Sequence, residues 1–426
     1  VQTTSQEQLL EHIYTKHFDE TGLLKCLQEL ITIPSITGSK EESYAQHWFA
    51  DKLKESGFAV DLWQIDLEAA YKHPAFPGIE VEREDGWGLV GTWGGNEGKT
   101  LVLNGHIDVV PPGDLKQWNS ENPFSGRNAD NRIYGRGACD MKAGLVCNLF
   151  ALKALQSAGV SLKGKVLLES VASEEDGGLG TFATILRGYR GDAAIITEPT
   201  SLNIIPACAG ALTFRLQIKG LAAHASNRLA GVSAIDKFWL VYQALQELEA
   251  KRNHSDHPLM QHLSLPYPLL IGILRSGDWA STVPDSLVAD GRIGVALGED
   301  PANARKELEE TIARVCAQDD WLRQNPIEVD WFGGQFASGE TPQDHPLLAL
   351  VSDAHQFVDG KFPRVHGAPY GSDLRLMVGL GGVPTVHYGP GGVQQAHAPN
   401  EFVPIDEILT TTKTLIKVIL DYCELK

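Results

Sequence analysis

No stretch of about 18 consecutive apolar residues interrupts this chain, so no segment is expected to cross a bilayer as a helix. Cysteine is scarce: six in 426 residues, at 26, 139, 147, 208, 316 and 423, with no C-x-x-C spacing. That argues against a disulfide framework; thiols set in apolar stretches read as buried and reduced, which points to the cytoplasm. Positive charge is also short. Against 54 Asp and Glu stand 36 Lys and Arg, a net charge of −18, so neither nucleic acid nor a membrane surface is an expected partner. An anionic substrate would need a local cationic clamp. The N-terminal twenty residues are polar and lack the apolar centre of a signal peptide. Internal repeats and low-complexity segments are missing, as are HExxH, GxSxG and Walker patterns, which removes several common hydrolase and nucleotide signatures.

What is there has ordinary globular composition, 43% hydrophobic and 21% charged, at a length that suits two domains. Residues 41–56 have helical amphipathic spacing ending at Gly57. WGLVGTW (87–93) and KTLVLNGHID (99–108) read as strands joined by the glycine-rich turn 94–98. AGLVCNLFALKALQSAG (143–159) reads as a buried helix closed by Gly159. KVLLESVAS (165–173) and DAAIITEP (192–199) are further strands with a helical stretch between them. This alternation predicts an α/β domain on a mostly parallel sheet flanked by helices. From residue 211 the pattern changes. ALTFRLQIKG places Leu212, Phe214, Leu216 and Ile218 on one face of a half-exposed strand. A helix over 234–250 follows, capped by Ser233 and Asp236, with an apolar stripe of Ile235, Phe238, Trp239, Tyr242, Leu245 and Leu248. Strands near 269–275 and 287–297, a helix at 301–317 and a strand at 327–332 complete a β-α-β-β-α-β order, that of a ferredoxin-like α+β unit. The expected organisation is a catalytic domain of residues 1–210 and 333–426 with residues 211–332 inserted as a second domain.

Five segments gather the chemistry: NGHIDVV (104–110), GRGACDMKAG (135–144), SEEDGG (173–178), TEPT (197–200) and AHAPNE (396–401). His106, Asp108, Glu174, Glu175 and Glu198 each fall at the C-terminal end of a predicted strand, the edge where open α/β sheets place their sites. Asp140 lies in a glycine-rich loop before a helix. Singly, each residue reads as a surface or loop group; jointly they form a ligand set for two divalent metals, which polarise a carbonyl and acidify water. A metal pair needs a bridging carboxylate, and Asp140 suits that place. His106 and His397 would supply imidazoles, Glu175 and Glu198 terminal carboxylates. Zinc accepts this N/O set, and cobalt or manganese could substitute. Cys139 is not expected among these hard donors. Asp108, two residues past His106 on an extended strand, would orient the imidazole. Of the adjacent Glu174 and Glu175, one would bind metal and the other serve as general base.

In this order and with these residues the five segments, GHIDVVPPG and YGRGACDMKAG above all, closely resemble the di-zinc amidohydrolase and exopeptidase family of acetylornithine deacetylase, succinyl-diaminopimelate desuccinylase, carboxypeptidase G and aminoacylase. The resemblance covers almost the whole chain. It implies that Asp140 bridges the metals, that His106 and Glu198 complete one site and Glu175 and His397 the other, and that Glu174 is the base. It also implies that the inserted unit is a lid and dimerisation domain, with the chain a homodimer. His224 in KGLAAHAS then matches the histidine that stabilises the tetrahedral oxyanion, in dimeric relatives reaching the partner's site. Arg292 resembles a lid arginine for a substrate carboxylate. Gly371-Ser372-Asp373 resembles a substrate-binding loop. Ser281 stands where many relatives carry a substrate-contacting Asn, and the segment 66–88 is long enough to reshape the pocket rim.

The expected activity is hydrolysis of an N-acylated amino acid or similar small amide, the N-acyl compound being the partner that matters. Peptidase action on dipeptides or N-termini, and removal of a formyl or carbamoyl group, are alternatives within the same chemistry. A non-catalytic binding protein is disfavoured because both Glu174 and the full ligand set are present.

Overall fold

The computed structural model describes residues 5–119, 122–254 and 257–426. Among these residues the larger sheet has six strands, in the spatial order Ala59–Gln64, Trp87–Gly94, Lys165–Val171, Thr100–His106, Ala193–Ile196 and Thr385–His387. The last four are parallel, and the first two join them by antiparallel pairing. The sheet is therefore mixed, with the expected parallel centre. Parallel strands survive only with both faces covered. Leu101 and Leu103 point into one apolar layer, shared with the helices Lys40–Glu55, Ala143–Ser157 and Ile405–Cys423; Val102 points into the other, shared with Leu179–Leu186. The helix Ala143–Ser157 is apolar round most of its circumference and is buried from Ala143 almost without break to Leu155.

One expectation fails. The strands Trp87–Gly94 and Thr100–His106 are not neighbours: Lys165–Val171 lies between them, antiparallel to the first and parallel to the second. The glycines of the intervening turn serve a different purpose from a hairpin. A Cβ on Gly94 would lie 2.5 Å from the Gly164 carbonyl oxygen, and one on Gly95 would lie 2.4 Å from that of Lys163. The turn has to run against the backbone that enters the inserted strand, and only glycine fits so closely.

The second sheet has four antiparallel strands in the order Leu269–Ser276, Ser286–Val295, Gly210–Lys219, Glu328–Phe336. With the helices Ala234–Arg252 and Pro301–Gln318 it shows the β-α-β-β-α-β order, and Leu212, Phe214, Leu216 and Ile218 all point into its apolar layer. Ser233 caps the first helix by accepting from the Asp236 amide. The buried stripe of that helix is Ala234, Phe238, Val241, Leu245 and Leu248. Ile235 and Trp239, expected in the stripe, are 48% and 57% exposed. At about 100° per residue they sit one position round from the line that meets the sheet.

Inside the larger sheet Asn104 and Glu169 face each other in register, the Asn104 amide donating to Glu169 Oε2 at 3.0 Å. Burial pushes the Glu169 carboxyl up from 4.5 to about 8 against that hydrogen bond. Between those two values the unfolded chain ionises this group while the folded chain keeps it protonated, so its contribution to stability falls as pH rises. Glu169→Gln is therefore expected to gain stability relative to the parent protein between pH 6 and pH 8, as read from urea midpoints at the two values; an unchanged difference would contradict the shift.

Candidate metal centre

The central strands end at one edge, and their last residues build the site. His106 closes its strand and is buried. Its Nδ1 lies 2.8 Å from the Asp108 carbonyl oxygen, which accepts only if Nδ1 carries the proton. That bond fixes the ring's orientation and leaves Nε2 as the nitrogen turned toward the other candidate donors. Nε2 faces Asp140 Oδ1 at 3.0 Å and Glu198 Oε1 at 4.0 Å.

Asp140 sits in an irregular turn, Ala138–Lys142, entered through Gly137 at φ +82° and containing a cis Asp140–Met141 peptide. Glu401 anchors the turn. Its Oε1 accepts from the amides of Cys139 and Asp140 at 2.9 and 3.1 Å, and its Oε2 pairs with Arg136 Nη1 at 2.7 Å; Glu401, Cys139 and Arg136 are buried. The second Asp140 oxygen, Oδ2, faces His397 Nε2 at 3.6 Å, so the two oxygens of one carboxylate address two different imidazoles. His397 has a left-handed backbone at φ +59° and is 3.0 Å from Glu175 Oε2. Donor atoms of His106, Asp140 and Glu175 lie within 4.8 Å of one another, as do those of His106, Glu174 and Glu198.

Asp108 acts differently from the expectation. Its carboxylate lies 3.7 Å from His106 Nδ1, farther than its own carbonyl. The reason is that the strand ends at His106, so the extended register that would aim both side chains alike stops there. Asp108 Oδ1 and Oδ2 instead accept from the amides of Glu174 and Glu175 at 3.2 and 3.3 Å, and Oδ2 also accepts from Thr37 Oγ1 at 2.9 Å. It holds the turn that carries the two glutamates.

The charges are crowded. Burial pushes the Glu174 and Glu198 carboxyls well above their usual range; the Glu198 charge adds to this for Glu174, and Asp140 adds to it for Glu198 against the opposing pull of His106. Burial also raises Glu175. Burial alone would lower His106, but its hydrogen bond to Asp140 and the charges of Glu198 and Asp108 outweigh it and hold the ring well above the ordinary histidine value. The hydrogen bond to Glu175 lifts His397 to about 9. Such a nest of carboxylates and imidazoles asks for cations. Its mixed N/O donors suit divalent metal ions.

Asp140, Glu174, Glu175, Glu198 and His397 line a cavity of about 320 Å³, and Arg292, Phe336, Tyr370, Gly371 and Ser372 line it with them. Gly371 is tight there, since a Cβ would lie 2.6 Å from that of Phe336. The Ser372 hydroxyl is engaged with His387 Nε2 at 3.1 Å, and burial depresses that histidine to about 3, so the ring is neutral. His224 and Ser281 are not brought to this cavity. Both are exposed and sit on paired loops, joined by the Ala225 amide donating to the Ser281 carbonyl at 2.9 Å, so Ser281 spends its backbone on the loop and does not reach the pocket of its own chain. Sequence reasoning assigns no role to Arg136, Glu401, Phe336 or Tyr370. Arg136 and Glu401 stand inside two of the five segments, and their opposite charges are the signal that could have found them.

Residues 102–421 match the family described as peptidase family M20/M25/M40. The N-formyl-4-amino-5-aminomethyl-2-methylpyrimidine deformylase of Bacillus subtilis is 28% identical over 412 residues, covering 89% of each chain. An acetylornithine deacetylase of Shigella sonnei is 26% identical over 409 residues, covering 94% of this chain and 97% of the relative. Among solved structures, a di-peptidase of Saccharomyces cerevisiae superposes with a TM-score of 0.76 at 16% identity over 98% of both chains. Human carnosine dipeptidase 1 superposes at 0.74 and 16% identity over 99% of both. These two likenesses establish the fold.

Because Arg136 is the buried counter-charge of Glu401, Arg136→Met strands a carboxylate beneath the Asp140 turn. The expected loss of unfolding free energy is about 3–5 kcal/mol, read by urea denaturation; a loss under about 1 kcal/mol would mean that the pair does not anchor the turn.

Proposed function

The chain belongs to peptidase family M20/M25/M40, metal-dependent hydrolases of amide bonds, and from that premise we propose that it cleaves the amide of a small N-acylated amino acid or amine. The observation that carries this reading is the Asp140 carboxylate, with one oxygen toward His106 and the other toward His397. Two divalent cations, zinc by preference of the donor set with cobalt or manganese as substitutes, would supply carbonyl polarisation and a more acidic water. His106 and Glu198 would hold one, Glu175 and His397 the other, with Asp140 common to both. Glu174 stands beside them, buried and in the cavity wall. Its raised proton affinity suits a base that takes the proton of the attacking water and passes it to the leaving amine. Asp108 fixes the Glu174–Glu175 turn through its two amide contacts.

Arg292, Gly371 and Ser372, which line the same cavity, would meet the rest of a small substrate. Release of a formyl group is the second reading, favoured by the Bacillus subtilis relative. A non-catalytic role is opposed by the base and the whole ligand set standing together.

The unit of residues 211–332 would act as lid and dimerisation domain, with the catalytic unit formed by 1–210 and 333–426. Two observations support this. His224 Nδ1 accepts from the Ser226 amide at 3.2 Å, which leaves Nε2–H free to donate to an oxyanion, while the residue faces solvent in its own chain. The edge strand Leu269–Ser276 and the loop after it expose Leu270 and Trp279 at 63% and 73%, a surface suited to a second copy. All six cysteines are buried and unpaired, which supports a reducing, cytoplasmic setting.

Hydrolysis of N-acetyl, N-succinyl, N-formyl and dipeptide substrates, with and without chelator, tests the reading; turnover of none, or turnover indifferent to chelator, would sink it. Glu174→Gln is expected to abolish turnover while metal content by elemental analysis stays at the parent level. Loss of metal would exchange the roles of Glu174 and Glu175. His224→Ala is expected to raise the barrier by about 2–4 kcal/mol, seen in kcat, if it donates to the oxyanion. A near-parental kcat would remove it from the mechanism.

A further inference from the structure

The segment before Trp87 is tied at one point to the smaller sheet and at another to the turn that bears Glu174. On one side the Gln335 amide donates to the Pro77 carbonyl at 3.0 Å. On the other the Val81 amide donates to Asp176 Oδ2 at 3.1 Å, close to the turn that bears Glu174. Two glycines make the passage possible. Gly78 has φ +85° and a Cβ on it would lie 2.3 Å from the Gly333 carbonyl oxygen; Gly333 has φ +65° and a Cβ on it would lie 2.8 Å from Glu80 Cγ. Glu80 is thus held between two fixed points, and its side chain is directed at Arg292.

The three groups there form a closed set. Arg292 Nη2 lies 3.4 Å from Glu80 Oε1, Arg292 Nε donates to Thr213 Oγ1 at 3.3 Å, and Thr213 Oγ1 donates to the same Glu80 oxygen at 3.3 Å. The Nε/Nη2 edge of a guanidinium is the one that grips a carboxylate side-on with two parallel bonds. Here that edge is engaged by Thr213 and Glu80 of the same chain, in a half-exposed contact. A second cation, Arg375, which like Arg292 lies over the Phe336 ring, is buried, donates to the Ser372 and Gly177 carbonyls and stands 3.7 Å from Asp373 Oδ1. Each of the two arginines is therefore accompanied by a carboxylate. Glu80 does not line the cavity, so it acts through Arg292.

We propose that Glu80 sets substrate choice by occupying Arg292, so that the cavity favours N-acyl compounds whose amine half is uncharged over those carrying a carboxylate. This rests on the amidohydrolase reading for the placement of substrate. It does not rest on turnover.

The test uses the full metal-loaded chain and a matched pair, N-acetyl-leucinamide and N-acetyl-leucine, with Kd measured by calorimetry. The parent protein is expected to bind the amide more tightly. Glu80→Gln should tighten the carboxylate by about tenfold and leave the amide within about twofold, since one opposing charge beside a half-exposed guanidinium is removed. The gain should vanish in the double variant Glu80→Gln/Arg292→Gln. A structural role for Glu80 would weaken both ligands alike and leave their ratio unchanged. An unchanged ratio, a parent protein that prefers the carboxylate, or binding of neither ligand overturns the proposal. Turnover is followed on the same pair: the predicted shift in Kd with no hydrolysis of either compound would tell against the amidohydrolase reading and leave the role of Glu80 standing.

Discussion

The Asp140 carboxylate can face two imidazoles only because its backbone is held rigidly from behind. Glu401 accepts from two successive amides of the turn, and Arg136 neutralises Glu401 in a buried pair. A loop with this much buried charge would otherwise relax toward water, and the donors contributed by three different strand ends would lose their common focus. The same device recurs on the other side, where Asp108 gathers the amides of Glu174 and Glu175. The groups aimed inward are thus held by carboxylates aimed at backbone. Preorganisation of this kind places the cost of assembling like charges on folding and not on each turnover.

Much of this arrangement is legible in the amino-acid sequence. Strand ends carrying His106, Glu174, Glu175 and Glu198 reveal a shared edge because an α/β sheet has only one edge at which its parallel strands all terminate. Alternation at Leu212, Phe214, Leu216 and Ile218 reveals a one-sided strand because the period of a strand is two. What stays hidden depends on partners distant in sequence. Nothing between Gly94 and Gly98 announces that a strand some seventy residues later will lie between its flanks. Asp108 reads as a side-chain partner of His106 only if an extended strand is continued two residues too far. Ile235 and Trp239 are as apolar as their neighbours, and only the direction of the sheet decides which side of the helix is covered. Arg136 and Glu401 lie 265 residues apart, so their pairing is a property of the fold.

The smaller sheet also reaches the cavity. Its strand Glu328–Phe336 brings Phe336 to the cavity wall, and its strand Ser286–Val295 brings Arg292. The strands of the larger sheet thus lead to most of the candidate donors, and the smaller sheet, tied to the Glu174 turn through the Pro77–Val81 segment, supplies part of the cavity wall. Such a division lets pocket residues vary without disturbing the centre, which accords with relatives of one fold whose names state different acyl compounds.

The strand Lys165–Val171 that separates Trp87–Gly94 from Thr100–His106 has a consequence for how the molecule comes into being. As the chain is made from its N-terminus, both earlier strands exist with no partner for the edges that will face each other across the gap. Their nearest route to pairing, a local hairpin, is the wrong one, and the glycine turn is shaped to run along a backbone that arrives later. The central sheet can therefore close only after residue 171 is available, making its assembly a late, long-range event.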